Sequence, residues 1–222
     1  MSSPLALAGV EWSLGLSLAL SYLLGSVPFG WLMAKLIRGV DIRTVGSGNI
    51  GATNAMRVLG KPLGLVAFLC DFGKGFAPAY FVGRQTGDDS TAMVLCAAAA
   101  VCGHVWPIFL RFKGGKAVAT GLGGIVAIDP VVALIAGGIW FAVLMSTRYV
   151  ALASLAMGVT FPVAAYLRMD GRYYGWDFVA GTGVLCALIL VRHRTNISRM
   201  LAGEESRSRM GFGGKHKDSK DD

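Results

Sequence analysis

Apolar residues in this chain run in long blocks instead of alternating with polar ones at the period of a helix on a soluble core. Residues 12–34 hold no charged side chain. At about 1.5 Å per residue, a helix of that length crosses a hydrocarbon core of about 30 Å. Pro28 predicts a kink in its later third. Further blocks cover 62–83, interrupted by Asp71 and Lys74, and 91–110, with His104 near its end. Two more cover 149–167 and 178–191. The stretch 117–147 is apolar except at Asp129-Pro130. It reads either as one long broken span or as two short helices, 117–128 and 131–147, the first of which is about 18 Å long and short for an ordinary bilayer.

Charge decides between these readings. With two helices in the middle there are seven in all. One side then receives the basic residues of 35–61, 111–116, Arg148 and everything from Arg192 on. The other receives only Arg84, Arg168 and Arg172, among five aspartates. One long span would split the basic residues across both faces. The positive-inside rule therefore predicts an all-α polytopic membrane protein of seven transmembrane helices, N-terminus outside and C-terminus cytoplasmic.

Composition agrees. The chain of 222 residues is 54% hydrophobic and 15% charged, where soluble domains carry about 25% charged residues. That excludes a soluble enzyme, a disordered chain and a nucleic-acid-binding domain. Cys70, Cys96, Cys102 and Cys186 all lie in apolar runs without metal or disulfide spacing and read as small buried hydrophobes. The first apolar block reads as a retained span. Residues 1–205 are expected to form one membrane domain and 206–222 a flexible polar cytoplasmic tail.

This topology brings three polar segments to one face. The first, 46–54, reads GSGNIGATN, with Arg57 three residues on. Glycines let backbone N–H groups approach an anion. Ser47 and Thr53 add hydroxyls, Asn49 and Asn54 carboxamides, and Arg57 a guanidinium. The second runs from Gly103-His104 to Lys113-Gly114-Gly115-Lys116. It lacks Walker spacing, but a glycine pair between ammonium groups suits a phosphate. His104 is an ionisable group within a span and so a candidate by default. The third, from Arg192, carries His193, Asn196 and either Arg199 or Met200 on one helical face if the last span continues. His193 can serve as base or donor near neutral pH. Asp71 and Lys74 stand three apart, as a buried pair that supports the site would. Ser154 is a hydroxyl near the start of the sixth helix, able to bind a ligand or its own backbone.

The runs GSGNIGATNAMRVLG, GHVWPIFLRFKGGKAVAT and RHRTNISRMLAGEE, in this order, resemble the bacterial acyl-phosphate:glycerol-3-phosphate acyltransferase family (PlsY) over about residues 12–205. The resemblance implies a seven-helix enzyme of the bacterial plasma membrane with its site on the cytoplasmic face. It would move a fatty acyl group from acyl phosphate to the 1-hydroxyl of sn-glycerol 3-phosphate, giving lysophosphatidic acid and phosphate. Ser47, Lys116, His193 and Asn196 would then be catalytic. Asn49, Thr53, Asn54, Arg57, His104, Gly114, Gly115 and Ser154 would bind substrate, with Asp71, Lys74 and Glu205 as structural support. Ala151 stands where the family often carries serine, and Ser154 in the same turn is left to serve. Transfer is expected to be direct, with the proton taken by His193 or by a substrate phosphate. No cofactor, metal or nucleic acid is implied. The expected partners are the two substrates, the bilayer and a soluble enzyme that makes acyl phosphate. A His-x4-Asp pair, His216 and Asp221, falls in the polar tail and is read as chance. An organic-anion transporter is the competing expectation, and it would place polar groups through the midplane.

Overall fold

The computed structural model describes residues 13–83, 90–169 and 175–208. Trp12, Arg84, Asp88, Asp89, Asp170, Arg172, and 209–222 with His216 and Asp221 lie outside them. All regular structure among the described residues is helical. In order these are α1 (Leu14–Ser26), α2 (Phe29–Arg38), α3 (Ala52–Leu59), α4 (Lys61–Ala77), α5 (Ser90–Val105), α6 (Val118–Ile128), α7 (Pro130–Thr147), α8 (Val150–Arg168), α9 (Trp176–Arg192) and α10 (Arg194–Leu201).

Five stretches are long and apolar enough to cross a bilayer: Leu14–Arg38, Lys61–Val82, Ser90–Leu110, Pro130–Thr147 and Val150–Arg168. The pair α9–α10, bent by 54°, reaches that length and apolarity only when its two helices are counted together, and α6 is a shorter apolar helix. The middle of the chain is two helices, as charge placement required. Asp129 ends α6 and caps α7, accepting from the N–H of Val131 at 2.8 Å and of Val132 at 3.3 Å. Its other oxygen pairs with Arg168 at 2.7 Å.

Pro28 breaks its helix outright instead of kinking it: α1 stops at Ser26 and α2 starts at Phe29. The carbonyl of Val27, released by the break, accepts from Lys74 Nζ at 2.7 Å. The Phe29 N–H also donates to it, at 3.2 Å, so the break inside the span is closed by one donor of its own and one from α4. Asp71 pairs with the same ammonium at 2.7 Å, and both side chains are buried.

Helices meet mainly as α1 on α5, α4 on α6, and α7 on α8 on α9. In lipid, apolar side chains gain little by leaving their solvent, so close backbone approach matters more. A Cβ on Gly75 or Gly123 would run into the backbone of Thr120 or Phe72, and this sets the α4–α6 contact. Val94, Phe161, Phe178 and Ile189 fill the core, while Leu134, Phe141, Val163 and Val184 face outward. The four cysteines are free, and Cys96 is fully buried.

One boundary differs from the sequence reading. Residues 206–208 are fastened to the body instead of starting a loose tail: Arg57 donates to Ser206 Oγ at 3.0 Å, and the Ser208 N–H donates to the Arg148 carbonyl at 2.7 Å.

Candidate active site

The first polar segment is a loop between α2 and α3, folded around Asn54. This buried carboxamide accepts from the Ser47 N–H at 2.9 Å. It donates to the carbonyls of Ile42, Val45 and Asn49 at 2.9, 3.1 and 2.9 Å. Only an amide supplies donor and acceptor in that pattern. Gly46 and Gly48 have φ of 62° and 69°, which glycine adopts without strain. The loop is braced by Asp41, which takes two hydrogen bonds from Arg43 Nε, at 2.9 and 3.1 Å, and one from Trp31 Nε1 at 3.1 Å. The hydrogen-bonded Arg43 guanidinium holds the Asp41 carboxyl well below the usual carboxylate range. Ser47 is exposed and Asn49 half-buried beside it.

The second segment folds back on the end of α5. The Gly114 N–H donates to the Val105 carbonyl at 3.1 Å, and the Gly115 N–H to the His104 carbonyl at 3.0 Å. The carbonyls of Gly114 and Gly115 accept from Arg192 Nη2 and Nε at 2.8 and 3.0 Å. Every polar backbone group of the glycine pair is therefore in use. His104 is buried under this turn, with Nδ1 3.8 Å from Asp71 Oδ1. The turn presents Lys116, just ahead of α6.

The third segment starts where α9 bends into α10. His193 Nδ1 lies 2.8 Å from the Ile189 carbonyl. A carbonyl only accepts, so the proton sits on Nδ1 and Nε2 keeps its lone pair. Asn196 receives the Lys116 ammonium on Oδ1 and donates from Nδ2 to Glu205 Oε1 at 2.7 Å. Glu205 Oε2 accepts from Arg199 at 2.8 Å. Burial lowers the pKa of Lys116 to about 8. Glu205 opposes this, while Arg199, Arg57 and Arg192 add to it.

The three segments enclose a cavity of about 290 Å³, lined by Ser47, Gly48, Asn49, Gly114, Lys116, Val191, Arg192, Arg194, Thr195 and Arg199. Four of these are cations and none is a carboxylate, so the cavity suits a multiply charged anion. An apolar groove of about 70 Å³ opens between α5, α6 and α9, with Cys102, Gly121, Phe178 and Leu188 in its walls. Leu188 of the groove and Val191 and Arg192 of the cavity are three and four residues apart, so they share one face of α9.

The sequence profile of the glycerol-3-phosphate acyltransferase family matches residues 15–203. This chain belongs to that family. It is an acyltransferase of the membrane. The glycerol-3-phosphate acyltransferase of Aquifex aeolicus (strain VF5) is 46% identical over 187 residues, 84% of this chain and 95% of the relative. That of Desulforudis audaxviator (strain MP104C) is 46% identical over 193 residues, 86% of this chain and 94% of the relative. The fold is similar to PlsY (YgiH), an integral membrane glycerol 3-phosphate acyltransferase, solved in a glycerol 3-phosphate form. The TM-score is 0.82 at 42% identity, over 90% of this chain and 96% of that one. Its lysophosphatidic acid form gives 0.79 at 41%, over 90% and 95%.

Within this acyltransferase, Ser47, Asn49, Gly114 and Lys116 line the cavity, and Asn196 reaches it through Lys116. Other expected ligands have different positions. Asn54 is used up inside its own loop. His104 and Gly115 form the floor under the Lys116 turn, and the N–H groups of the glycine pair are not open to an anion. Ser154 is buried away from the cavity, donating to the Val150 carbonyl at 2.9 Å and accepting from Trp140 at 3.4 Å. Thr53 and Arg57 are exposed on α3 and are not among the residues that line the cavity. Asp71 and Lys74 pair with each other in the bundle, and Glu205 accepts from Asn196. Thr195 was missed, and Arg192 and Arg194 were not given a place in the site, although all three line the cavity. The two arginine charges look the same in sequence as ordinary positive-inside anchors, and only the carbonyls of Gly114 and Gly115 reveal what Arg192 does.

Proposed function

We propose that this chain transfers a fatty acyl group from acyl phosphate to the 1-hydroxyl of sn-glycerol 3-phosphate, directly and without an acyl-enzyme. The observation that carries this reading is the four-cation cavity sharing one face of α9 with an apolar groove. Both substrates carry a phosphate and one carries a chain. The chain would lie in the groove, the mixed anhydride where groove meets cavity, and the acceptor phosphate toward α3.

In the reaction the hydroxyl oxygen of the acceptor attacks the acyl carbon. The C–O bond to phosphate breaks, the electron pair leaves with phosphate, and the hydroxyl proton ends on a phosphate oxygen. It passes there directly or by way of His193 Nε2. Phosphate is a good leaving group near neutral pH, so the protein's task is to position both substrates and neutralise charge. Lys116, Arg192 and Arg199 supply the charge, and Ser47 and Asn49 hydrogen bond the acyl phosphate. Seven spans, with N-terminus outside and the site on the cytoplasmic face of a bacterial plasma membrane, put the cavity where a soluble enzyme making acyl phosphate can deliver to it.

The test offers labelled glycerol 3-phosphate to the purified protein in lipid, with palmitoyl phosphate, acyl-CoA or acyl carrier protein thioester given separately. Lysophosphatidic acid from the acyl phosphate alone is expected. Product from a thioester alone, or an acyl group trapped on Ser47 when the acceptor is withheld, overturns the reading.

A further inference from the structure

The family profile ends at residue 203, yet the next five residues touch three separate parts of the site. The Glu204 N–H donates to the Arg199 carbonyl at 2.8 Å. Glu205 bridges Asn196 and Arg199. Ser206 Oγ accepts from Arg57 Nη2 at 3.0 Å. Arg207 Nε donates to the Tyr149 hydroxyl at 3.2 Å, with the guanidinium carbon 5.4 Å from the ring centroid. The Ser208 N–H ends the run on the Arg148 carbonyl at 2.7 Å.

We propose that residues 204–208 form a positioning strap in which Ser206 aims Arg57 at the phosphate of the acceptor. The inference rests on the functional reading above. Adjacent residues hold opposite sides of the site: Glu205 the Lys116–Asn196 network from the loop before α6 and from α10, Ser206 the cation on α3. The chemistry of the two contacts differs in a telling way. Glu205 is an anion and balances Arg199. Ser206 is a neutral acceptor, so it fixes one N–H of Arg57 without cancelling its charge. The other guanidinium N–H groups remain for an anion. Arg57 is close enough for its charge to act on Lys116, so both cations act on one region of space. It stands on α3, which does not border the apolar groove. On the functional reading above, which puts the acceptor phosphate toward α3, that is the phosphate Arg57 meets. Arg207 on Tyr149 and Ser208 on Arg148 anchor the far end to the α7–α8 turn. Ordering a long side chain before the ligand arrives lowers the cost of binding it, and this shows in KM more than in kcat.

The experiment compares Ser206→Ala, Ser206→Thr and the parent as full-length protein in lipid. Ser206→Ala is expected to raise KM for glycerol 3-phosphate about three- to tenfold, the scale of one solvent-exposed hydrogen bond. It should leave kcat and the acyl phosphate KM within about twofold. Ser206→Thr, which keeps the hydroxyl, should restore KM. In an Arg57→Ala background the Ser206→Ala effect should vanish. An unchanged acceptor KM, an equal loss in kcat, or an effect that persists without Arg57 overturns the strap. A second readout needs no turnover: tryptic cleavage after Arg207, followed by mass spectrometry, should quicken severalfold in Arg57→Ala. An unchanged cleavage rate also overturns the strap. If the parent makes no product at all, the functional reading fails by itself, and the cleavage rates still decide whether Arg57 holds the strap.

Discussion

Gly115→Ala is the sharpest test of how the cavity is built. A methyl group there would stand 2.9 Å from both Cδ2 and Cε1 of His104, and closer still to Nε2, where ordinary contact begins at 3.4 Å. His104 is 4% exposed and has no room to retreat. The loop must therefore rise off its floor, pulling the Gly114 and Gly115 carbonyls from Arg192 and moving Lys116 next in sequence. Overpacking of this kind costs about 1–3 kcal/mol in stability. An ångström of displacement at a positioning group costs about 100-fold in rate. We expect kcat/KM for acylation of glycerol 3-phosphate to fall about 100-fold while the protein stays folded. Trimming the ring should relieve the clash, so His104→Ala in the Gly115→Ala background should recover at least about tenfold. Activity within about threefold of the parent for Gly115→Ala would refute the argument, as would a double variant no better than the single.

Three further outcomes follow from other contacts. Lys116 must be cationic to hold phosphate, and its pKa is lowered to about 8, so kcat/KM should fall as pH rises through about 8; Lys116→Arg should lack that limb, and a limb at the same pH in that variant would rule Lys116 out. Lys74→Met strands the Asp71 carboxylate in the bundle, and thermal unfolding should report a loss of about 3–5 kcal/mol, much of it regained in Asp71→Leu/Lys74→Met. Asn54→Asp replaces an amide that donates to three carbonyls by a group with no N–H, and turnover should drop far more than with Thr53→Ala, which touches none of them.

The helices and the convergence of three polar segments were legible in the sequence, because span length and basic-residue placement are one-dimensional properties. Asp129-Pro130 marked the break that yields α6 and α7, and Pro28 marked another. What each polar residue bonds to was not legible. Asn54 and Asn49 look alike in the sequence, yet one organises the loop and the other faces the cavity. Lys-Gly-Gly-Lys suggested amides open to phosphate, but a loop that folds back on α5 uses those amides on Val105 and His104. Ser154 offered a hydroxyl that its own helix takes. Arg192 looked like an anchor, and only tertiary contact turns it into a clamp. Hydrogen-bond partners far apart in sequence have no period to betray them, and this is why residues 206–208 were read as loose.

Arg111, Phe112 and Ala117, at φ of 52°, 61° and 58°, surround Lys116 with side chains in backbone conformations that favour glycine. Each such residue carries about 1–2 kcal/mol of conformational penalty. A glycine at any of the three would remove that penalty and yield a hardier protein, but it would also free the one segment whose rigidity keeps the ammonium in place. Durability and turnover thus pull against each other within a single hairpin, and selection for heat resistance alone would be expected to erode catalysis there first.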